Sequence, residues 1–328
     1  MTELVMRFDL RVPPFAATTF SRQYAAFREM VRWGDDIGVA SVSVSEHHGD
    51  PAGYIPAPIP LAAAILASTN RVHVSISAVL APLHDPVRLA EQLAVVDNLA
   101  PGRLSVILGA GYRQVEFDMG GVEKGRRGRL MEDTVAVLRA AWTGEPFEWN
   151  GRTIVVTPPP ATPGGPKLLM GGKSAVAARR AARLRCAFSP ASGDKALADA
   201  YREECAAAGF EGSVEGLGDR PARPGFVMVA KDPETVWQQV APHALYDAQT
   251  YASWQDDAVR SDWVVPDLVD AESLRTSGRY LVVDPQECIE IVRRDGGLVL
   301  HPLMGGIAPE LAWESLRLVE QDVLPHVG

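Results

Sequence analysis

The sequence has few cysteines and no long apolar segment. Its three cysteines, Cys186, Cys205 and Cys288, lie far apart and form no Cys-x-x-Cys pair, which is typical of reduced, partly buried thiols in a cytosolic protein. The most apolar window, IPLAAAILAS, is too short to cross a bilayer. The first residues, MTELVMRFDL, lack the basic segment and apolar stretch of a signal peptide. We therefore expect a cytoplasmic protein without a membrane partner.

Positive charge is also scarce. The chain carries 32 Lys and Arg residues against 41 Asp and Glu residues, a formal net charge of -9. Because nucleic-acid binding needs clustered Lys and Arg side chains to neutralise phosphates, we expect no nucleic-acid partner. The hydrophobic fraction of 47% and the charged fraction of 22% are typical of a soluble globular protein with a large core.

What the sequence does contain is a regular alternation of apolar segments of strand length with amphipathic helical segments. The predicted strands lie in MRFDLRV, VASVSVSEH, RVHVSISAVLA, RLSVILGAG, KLLMGG, RCAFSP, PGFVMVA and LVLHPL. Eight parallel strands joined by helices bury both faces of a sheet and close into a (β/α)8 TIM barrel. We predict this α/β fold as a single domain over residues 1–328, with a doubly wound open sheet as the alternative.

Two polar or Pro/Gly-rich segments interrupt the alternation. We predict insertions after strands four and seven, roughly at residues 143–166 and 256–279. The first contains EPFEWNGRTIVV, which predicts a small hairpin. Both segments are candidate lids over the site.

The predicted second strand ends in an acid and two histidines, Glu46, His47 and His48. Side chains alternate along a strand, so the valines of SVSVSEHH point to the surrounding helices while the serines and His47 point into the barrel. Catalytic groups of such barrels lie where strands end. His47 is therefore the candidate catalytic residue, and Glu46 is its candidate partner.

A metal site is the alternative interpretation of the same triplet. Neighbouring residues on a strand point to opposite faces, so Glu46, His47 and His48 cannot easily bind one ion. No HxH or HExxH motif occurs elsewhere. We therefore expect no metal, and a metal hydrolase is disfavoured.

Glycine-rich turns follow three of the predicted strands. LGAGYRQ, after strand four, lacks the third glycine of the dinucleotide-binding fingerprint. Gly171, Gly172 and Ser174 lead from strand five into a helix, where exposed amides and the helix dipole can hold a phosphate; an ordinary tight turn is the alternative. Gly305 and Gly306 follow strand eight, another position where barrels bind phosphate.

Together these segments resemble the bacterial luciferase-like flavin-dependent oxidoreductases, and the resemblance covers essentially the whole chain. The matching pieces are SEHH at 45–48, AVLAPLHDPVRLAEQLAVVDNLAPGRLSVILGAGYRQVEF at 78–117 and LLMGGKSAVAARRAA at 168–182. The resemblance implies a (β/α)8 barrel. It also implies a reduced flavin or 5-deazaflavin at the carboxyl-terminal mouth of the barrel, with its phosphate near the strand-five turn.

The resemblance implies roles for individual positions. His47 matches the family's active-site histidine beside the reactive edge of the flavin ring. The bond between Ser77 and Ala78 matches a non-prolyl cis peptide bond that forms a bulge under the isoalloxazine. The turn Gly171–Ser174 matches the backbone and hydroxyl that contact the phosphate.

One position departs from the family pattern. In the luciferase subunit an arginine in the loop after strand four contacts the flavin phosphate. Here Ala110, between Gly109 and Gly111, occupies that place. Arg113, three residues on, is the candidate substitute, so the identity of the cofactor tail stays open.

The resemblance favours a two-component flavin-dependent monooxygenase that uses reduced FMN and O2 on a small organic substrate. A separate flavin reductase would supply the reduced FMN, because no segment forms an obvious nicotinamide site. His47 would donate or accept a proton, and Glu46 would orient the imidazole or a neighbouring strand. His48, Tyr54 and Asp118 are expected to shape the mouth of the barrel.

Two alternatives stay open. The first is hydride transfer to or from coenzyme F420 without oxygen, with His47 as the general acid or base. The second is a flavin-binding protein without turnover. A homodimer is a further hypothesis, since related barrels often pair through helices beside strands two and three.

Overall fold

The computed structural model describes residues 2–216, 224–255 and 270–327 of the 328-residue chain. The strands are β1 (Glu3–Phe8), β2 (Ser41–Val44), β3 (His73–Leu80), β4 (Leu104–Gly109), β5 (Phe147–Trp149), β6 (Arg152–Ile154), β7 (Lys167–Gly172), β8 (Ala187–Pro190), β9 (Phe226–Val229), β10 (Tyr280–Val283) and β11 (Gly297–Leu300). The helices are α1 (Phe20–Ile37), α2 (Pro58–Ser68), α3 (Pro86–Leu99), α4 (Gln114–Gly120), α5 (Arg127–Ala141), α6 (Ala175–Arg183), α7 (Lys195–Ala207), α8 (Pro233–Trp254), α9 (Ala271–Thr276), α10 (Pro285–Asp295) and α11 (Pro309–Leu318). None of the helices in this part of the chain has both the length and the apolar character needed to traverse a bilayer.

The strand order of the parallel sheet is that of a barrel. Hydrogen-bonded neighbours run in the order β10-β9-β11-β1-β2-β3-β4-β7-β8. The last strand, β11, pairs with β1, which is the arrangement of a (β/α)8 barrel and not of a doubly wound open sheet. Within the described residues, β8 and β10 are the end strands of this sheet. The predicted α/β barrel fold is confirmed.

The sheet contains one strand more than the eight predicted. β10 consists of only four residues, YLVV, which directly precede the helix that begins at Pro285. It runs parallel to β9, with Tyr280 opposite Phe226. So short an apolar segment next to a helix start has little strand character of its own, and its conformation depends on pairing with β9.

The first predicted insertion lies at the end of the barrel opposite to the mouth. Its hairpin, formed by β5 and β6, is confirmed. The segment connects α5 to β7, and Thr162 donates its backbone N–H to Asp97 at 2.7 Å and accepts the N–H of Gly102 at 2.8 Å, close to the turn that precedes β4. The expectation that residues 143–166 form a lid is therefore wrong. Residues 256–269 of the other candidate lid lie outside the described residues.

Alternation along the strands separates a face covered by helices from the barrel interior. In β2, Val42 and Val44 are fully buried, whereas Ser43 is half-buried. Cross-strand pairing places Arg7 of β1 opposite Ser43, and Ser43 opposite Ser75 of β3. Polar side chains of three adjacent strands therefore face the interior at one level.

β3 is irregular where it reaches the mouth. The peptide bond between Ser77 and Ala78 is cis, as the resemblance implied. The pairing of β3 with β4 shifts register between Ser77 and Val79, so Ala78 is the extra residue of a bulge. The carbonyl of Ala78 accepts the N–H of Glu46 at 3.2 Å, which joins the bulge to the end of β2.

α8 brings polar and aromatic side chains to the mouth of the barrel. Asp247, Tyr251 and Trp254 are spaced four and three residues apart, so they lie on one face of the helix. Tyr251 contacts Arg7, and Trp254 contacts His47. A helix of a regular barrel unit runs back along the outside of the sheet, but α8 ends against residues that follow β2.

Candidate active site

His47 lies just after β2 and keeps 8% of its surface exposed. Its Nδ1 lies 2.8 Å from Oε1 of Glu116, which is almost fully buried. The same oxygen accepts the backbone N–H of His48 and an N–H of Arg113, each at 3.2 Å. An ionised carboxylate at this position accepts the proton that Nδ1 carries, so Nε2 is the nitrogen able to exchange a proton with a bound molecule.

Glu116 is the principal site residue that the sequence analysis did not identify. It lies in the first turn of α4, three residues after Arg113, inside the segment GYRQVEF that carries part of the resemblance. The only signal in the sequence was a basic residue and an acid at a helical spacing of three. The contact with His47 depends on how α4 packs against the end of β2.

Four aromatic rings surround the imidazole of His47. Their centres lie 4.7 to 6.5 Å from its centre, and the residues are Tyr54, Tyr112, Tyr251 and Trp254. The hydroxyl oxygens of Tyr54 and Tyr251 are 2.8 Å apart. We call these four residues the aromatic enclosure. It limits the access of water to the imidazole.

The environment of the pair favours a neutral imidazole and an ionised carboxylate. Burial has the strongest influence on the pKa of His47 and lowers it. The hydrogen bond with Glu116 raises this pKa, whereas the charges of Arg113 and Arg11 lower it. The pKa of His47 is therefore below its ordinary value. Burial raises the pKa of Glu116. The hydrogen bond and charge of His47, the amide of His48 and the charge of Arg113 together outweigh burial, so the pKa of Glu116 is also below its ordinary value. His47 can therefore act as a base near neutral pH.

Glu46 points away from His47 and binds two other histidines. Its Oε1 lies 2.8 Å from Nε2 of His48 and 2.9 Å from Nε2 of His84, and its Oε2 accepts the N–H of Leu80 at 2.7 Å. Burial raises the pKa of this carboxyl, but the hydrogen bonds from both histidines and the amide lower it to about 2. Glu46 thus orients the end of β3. Of the two roles expected for Glu46, these contacts support the orientation of a neighbouring strand, whereas Glu116 is the carboxylate that binds the imidazole.

The three residues expected at the mouth differ in their surroundings. Tyr54 is buried within the aromatic enclosure, and His48 is half-buried against Glu46. Asp118 is exposed and lies within α4, where its Oδ1 accepts a side-chain N–H of Gln114 at 2.8 Å. Its exposure places Asp118 on the solvent-facing side of α4.

The turn after β7 brings its backbone close to its neighbours. A Cβ on Gly172 would lie 2.4 Å from the Cβ of Ala177, and a Cβ on Gly171 would lie 3.0 Å from Cγ2 of Ile107. The hydroxyl of Ser174 accepts the N–H of Ala177 at 3.3 Å and caps α6. Because the first amides of a helix lack partners within the helix, this turn presents N–H groups and a hydroxyl that can bind a phosphate.

The loop after β4 approaches the bulge of β3. A Cβ on Gly109 would lie 3.0 Å from the Cβ of Ala78. Gly111 has a φ of +71°, a conformation that favours glycine. Ala110 is partly buried and packs against the core. The loop is therefore held close to the bulge at the mouth.

Arg113 lies beside the His47 pair. Its Nη1 donates to the carbonyl of His48 at 2.8 Å and to Glu116 at 3.2 Å, and its guanidinium carbon lies 4.0 Å from the ring centre of Trp254. These contacts do not support the expectation that Arg113 replaces the phosphate-binding arginine of the family.

The glycine pair after β11 does not offer a phosphate site. The N–H of Gly305 donates to Oδ2 of Asp9 at 3.3 Å, and the N–H of Gly306 donates to the carbonyl of Leu303 at 3.2 Å. Both amides are engaged, and the neighbouring carboxylate repels a phosphate. The expectation of a second phosphate position here is wrong.

A buried group of charges joins the segment after β1 to α8. Arg11 is fully buried and binds Asp9 through Nε at 2.9 Å and Nη2 at 2.7 Å; Nη2 also contacts Asp247. Tyr280 donates its hydroxyl to Oδ2 of Asp247 at 2.6 Å. No local sequence pattern reveals this group, because Arg11 and Asp247 are 236 residues apart in the chain.

The described residues contain no group of three or more His, Cys, Asp or Glu side chains arranged to hold a metal ion. The three cysteines are buried and are not joined in disulfides.

Several relatives match this chain over different lengths. A limonene 1,2-monooxygenase from Rhodococcus erythropolis is 26% identical over 327 residues, which cover 91% of this chain and 80% of that protein. An FMNH2-dependent dimethylsulfone monooxygenase from Pseudomonas fluorescens (strain Pf0-1) is 32% identical over 154 residues, or 44% of this chain and 42% of that protein. An uncharacterised protein from Sinorhizobium fredii is 27% identical over 124 residues, and the match spans 35% of its length.

Three solved structures share the fold over their whole length. The monooxygenase RslO1 from Streptomyces bottropensis superposes with a TM-score of 0.75 at 21% identity, covering 100% of both chains. The oxygenating constituent of 3,6-diketocamphane monooxygenase from a Pseudomonas putida plasmid, in complex with FMN, has a TM-score of 0.69 at 20% identity, with the same coverage. An F420-dependent secondary alcohol dehydrogenase in complex with an F420-acetone adduct has a TM-score of 0.68 at 16% identity, again over 100% of both chains. These likenesses establish the fold.

One protein family matches most of the sequence. The model of the luciferase-like monooxygenases matches residues 6–294, a range that includes His47, the bulge at Ala78 and the turn Gly171–Ser174. The resemblance seen in the sequence is confirmed: the chain belongs to the luciferase-like monooxygenase family.

Proposed function

We propose that this protein is the oxygenating component of a two-component monooxygenase, which uses reduced FMN and O2 on a small organic substrate. The observation that carries the proposal is the buried pair of neutral His47 and ionised Glu116 inside the aromatic enclosure. Such a pair can move a proton where water is restricted. The FMNH2-dependent relative and the FMN-bound structural neighbour support the choice of cofactor.

The residues at the mouth fit a phosphorylated flavin. Gly171 and Gly172 let the turn pack closely against Ile107 and Ala177, and Ser174 offers its hydroxyl beside the first amides of α6. Lys173 places a positive charge in the same turn, with Nζ 5.4 Å from the ring centre of Tyr112. We infer that these residues hold the phosphate.

Tyr112 links the phosphate turn to the proton-handling pair. Its ring centre lies 5.9 Å from that of His47 and 5.4 Å from Nζ of Lys173. Both groups therefore belong to one continuous surface. The bulge at Ala78 and the loop at Gly109 form the adjoining wall. We infer that this surface receives the flavin ring.

The chain's own residues supply proton transfer and enclosure. When bound, reduced FMN supplies the electrons for the reaction with O2. Nε2 of His47 accepts a proton, and Glu116 holds the ring in one tautomer and stabilises the imidazolium that results. Tyr54, Tyr251 and the indole of Trp254 exclude water from this step.

A separate flavin reductase is part of the proposal. The dimethylsulfone monooxygenase that matches this chain is described as dependent on FMNH2. This supports delivery of FMN in its reduced form.

A second candidate is hydride transfer with coenzyme F420. The position of the family's phosphate-binding arginine is Ala110, and Arg113 is engaged with Glu116 and Trp254. A cofactor with a different tail is compatible with this substitution. In such a reaction His47 would exchange a proton with an alcohol or imine while the hydride moves to or from the deazaflavin.

One experiment separates these candidates. The purified protein is titrated with reduced FMN and with reduced F420, then mixed with oxygenated and with anaerobic buffer in a stopped-flow spectrophotometer. We expect binding of reduced FMN and an oxygen-dependent absorbance transient that precedes the spectrum of oxidised FMN. Tight binding of F420 with no response to oxygen would establish the second candidate instead. Binding without turnover across a substrate panel would indicate a flavin-binding protein.

A further inference from the structure

Arg113 joins two parts of the candidate site that come from distant segments of the chain. Its guanidinium is almost buried, with 9% of the side chain exposed. On one side Nη1 donates to Oε1 of Glu116 at 3.2 Å, the same oxygen that lies 2.8 Å from Nδ1 of His47. On the other side the guanidinium carbon lies 4.0 Å from the ring centre of Trp254, in the last turn of α8. One cation therefore contacts both the proton-handling pair and the aromatic enclosure.

The backbone of His48 fixes the place of this guanidinium. Nη1 of Arg113 donates to the carbonyl of His48 at 2.8 Å, and the N–H of His48 donates to Oε1 of Glu116 at 3.2 Å. These bonds and the one from Arg113 to Glu116 form a closed ring. A guanidinium can donate in its plane while its flat face packs over an indole, an arrangement that the compact ammonium of lysine does not reproduce.

The charges around His47 act in opposite directions. Burial has the largest effect on the pKa of His47 and lowers it. The bond and charge of Glu116 raise this pKa, whereas the charges of Arg113 and of Arg11, which follows β1, lower it; of the two guanidinium groups, Arg113 has the larger effect. The other titratable groups that face the imidazole are hydroxyls of the aromatic enclosure, which are uncharged near neutral pH: Tyr54, Tyr112 and Tyr251.

The effect of Arg113 on His47 depends on the indole of Trp254. Charges interact more strongly where water is excluded, because the local dielectric constant is low. The indole covers the guanidinium, and its ring centre lies 4.7 Å from that of the imidazole. If the indole moves away, water reaches the guanidinium and screens its charge. The carboxylate of Glu116 then draws a proton onto the imidazole more easily.

We propose that Arg113 is a positioning residue that links the protonation of His47 to the place of Trp254. His47 stays a free base while the indole closes the site, and it takes up a proton from solvent when the indole is displaced. Proton transfer is thereby confined to the enclosed site. This assignment deepens the proposed function by adding a means of regulation, and its bearing on turnover rests on that function.

The test is a titration of His47, followed by NMR in the flavin-free, full-length protein with isotope-labelled histidine. The chain has seven histidines, and the resonance that His47→Gln removes belongs to His47. We expect Arg113→Met to raise the pKa of His47 by about 1, the effect of losing one nearby positive charge. The matched control is Arg88→Met, because Arg88 and Glu91 form an exposed ion pair at the same spacing of three residues. This control should leave the pKa of His47 unchanged.

A double-mutant cycle measures the link to Trp254. Trp254→Ala should raise the pKa of His47, because water then reaches both the imidazole and the guanidinium. In the Arg113→Met background the same replacement should raise this pKa by less than half as much, since only the direct effect on the imidazole is left. Additive changes, or a pKa of His47 that does not respond to Arg113→Met, would overturn the proposal.

Two further variants separate the charge of Arg113 from its place in the fold. Arg113→Gln can still donate to Glu116 and to the carbonyl of His48 but carries no charge, so it keeps the test decisive if Arg113→Met does not fold. It should raise the pKa of His47 as Arg113→Met does, whereas Arg113→Lys, which retains the charge, should raise it less. An equal rise in the Gln and Lys variants would show a purely structural effect and contradict the proposal.

Activity measurements distinguish the failure of this proposal from that of the proposed function. If the cycle shows coupling but the protein does not react with reduced FMN and O2, the proposed function fails while the link between Arg113 and Trp254 stands. If the protein is an active monooxygenase and the changes are additive, the link is wrong and the proposed function stands.

Discussion

At the scale of single residues, the contact between His47 and Glu116 decides which atom can carry a proton. The 2.8 Å contact at Nδ1 directs Nε2 toward the site. Burial and two nearby guanidinium groups lower the pKa of the imidazole below its ordinary value of 6.5. The residue therefore meets the requirement for a general base near neutral pH, which is a neutral side chain in a fixed orientation.

Replacement of His47 by alanine tests this role. We expect turnover to fall by about 10²- to 10⁴-fold, the usual contribution of a general acid or base. The affinity for reduced FMN should change little, because the residues that we assign to the phosphate lie in the turn Gly171–Ser174. Steady-state kinetics and flavin titration give the two values. Full activity in the variant would remove His47 from the mechanism.

The replacement Glu116→Gln should displace the pH profile in a defined direction. Turnover of the unmodified protein falls as the pH drops through the lowered pKa of His47, because the imidazole becomes protonated. The carboxylate raises that pKa, so its loss lowers the pKa further. The acid limb of kcat against pH should therefore move to lower pH. An unchanged limb, or one that moves to higher pH, would contradict the proposed coupling.

From its contacts with His48, His84 and Leu80, we expect Glu46 to contribute to stability and not to proton transfer. Hydrogen bonds from His48 and His84 lower its pKa from 4.5 to about 2 in spite of its burial, and each pKa unit corresponds to about 1.4 kcal/mol. Glu46→Gln should thus lower the free energy of unfolding by about 3 kcal/mol at pH 6. This difference should shrink as the pH falls from about 4.5 toward 2, because the native carboxylate becomes protonated. Urea unfolding at several pH values measures it, with the exposed Glu203→Gln as control.

At the scale of secondary-structure elements, α8 completes the site. Its last turn places Trp254 4.7 Å from the imidazole of His47 and 4.0 Å from the guanidinium carbon of Arg113. Asp247, about two turns earlier, binds Arg11 and Tyr280 and so fixes the helix to the segment after β1 and to β10. The position of the indole therefore depends on buried ion pairs outside the enclosure.

Removal of the indole should admit water to the site. We expect Trp254→Ala to increase the fraction of reduced FMN that is oxidised with release of hydrogen peroxide and without substrate oxidation. A peroxide assay, normalised to the reduced FMN consumed, gives this fraction. The matched control is Trp33→Ala, since that indole binds Glu320 on the outside of the barrel. Equal peroxide yields in both variants would argue against a shielding role.

At the scale of the whole molecule, periodicity predicts the architecture better than it predicts the site. The parallel strands and the position of His47 follow from alternation and from the resemblance, because both depend on local sequence. β10 was not predicted, because a segment of four residues carries too little of the apolar pattern of a strand. The segment 143–166 was assigned to the wrong end of the barrel, although its place between α5 and β7 determines where it lies.

The rest of the site is assembled from distant parts of the chain. Glu116 contacts His47, which is 69 residues away in sequence, and Tyr251 contacts Tyr54, which is 197 residues away. No local pattern encodes such contacts, because they arise from the packing of α4 and α8 against the ends of other strands. The sequence shows that Asp247, Tyr251 and Trp254 lie on one face of α8. It does not show which residues that face contacts.

A crystal structure of the protein with FMN tests the central claim most directly. We predict that the phosphate binds the turn Gly171–Ser174 and that the ring lies against the bulge at Ala78, within reach of Nε2 of His47, with Nδ1 still bound to Glu116. A phosphate bound elsewhere, or a ring separated from His47 by the aromatic enclosure, would contradict the account.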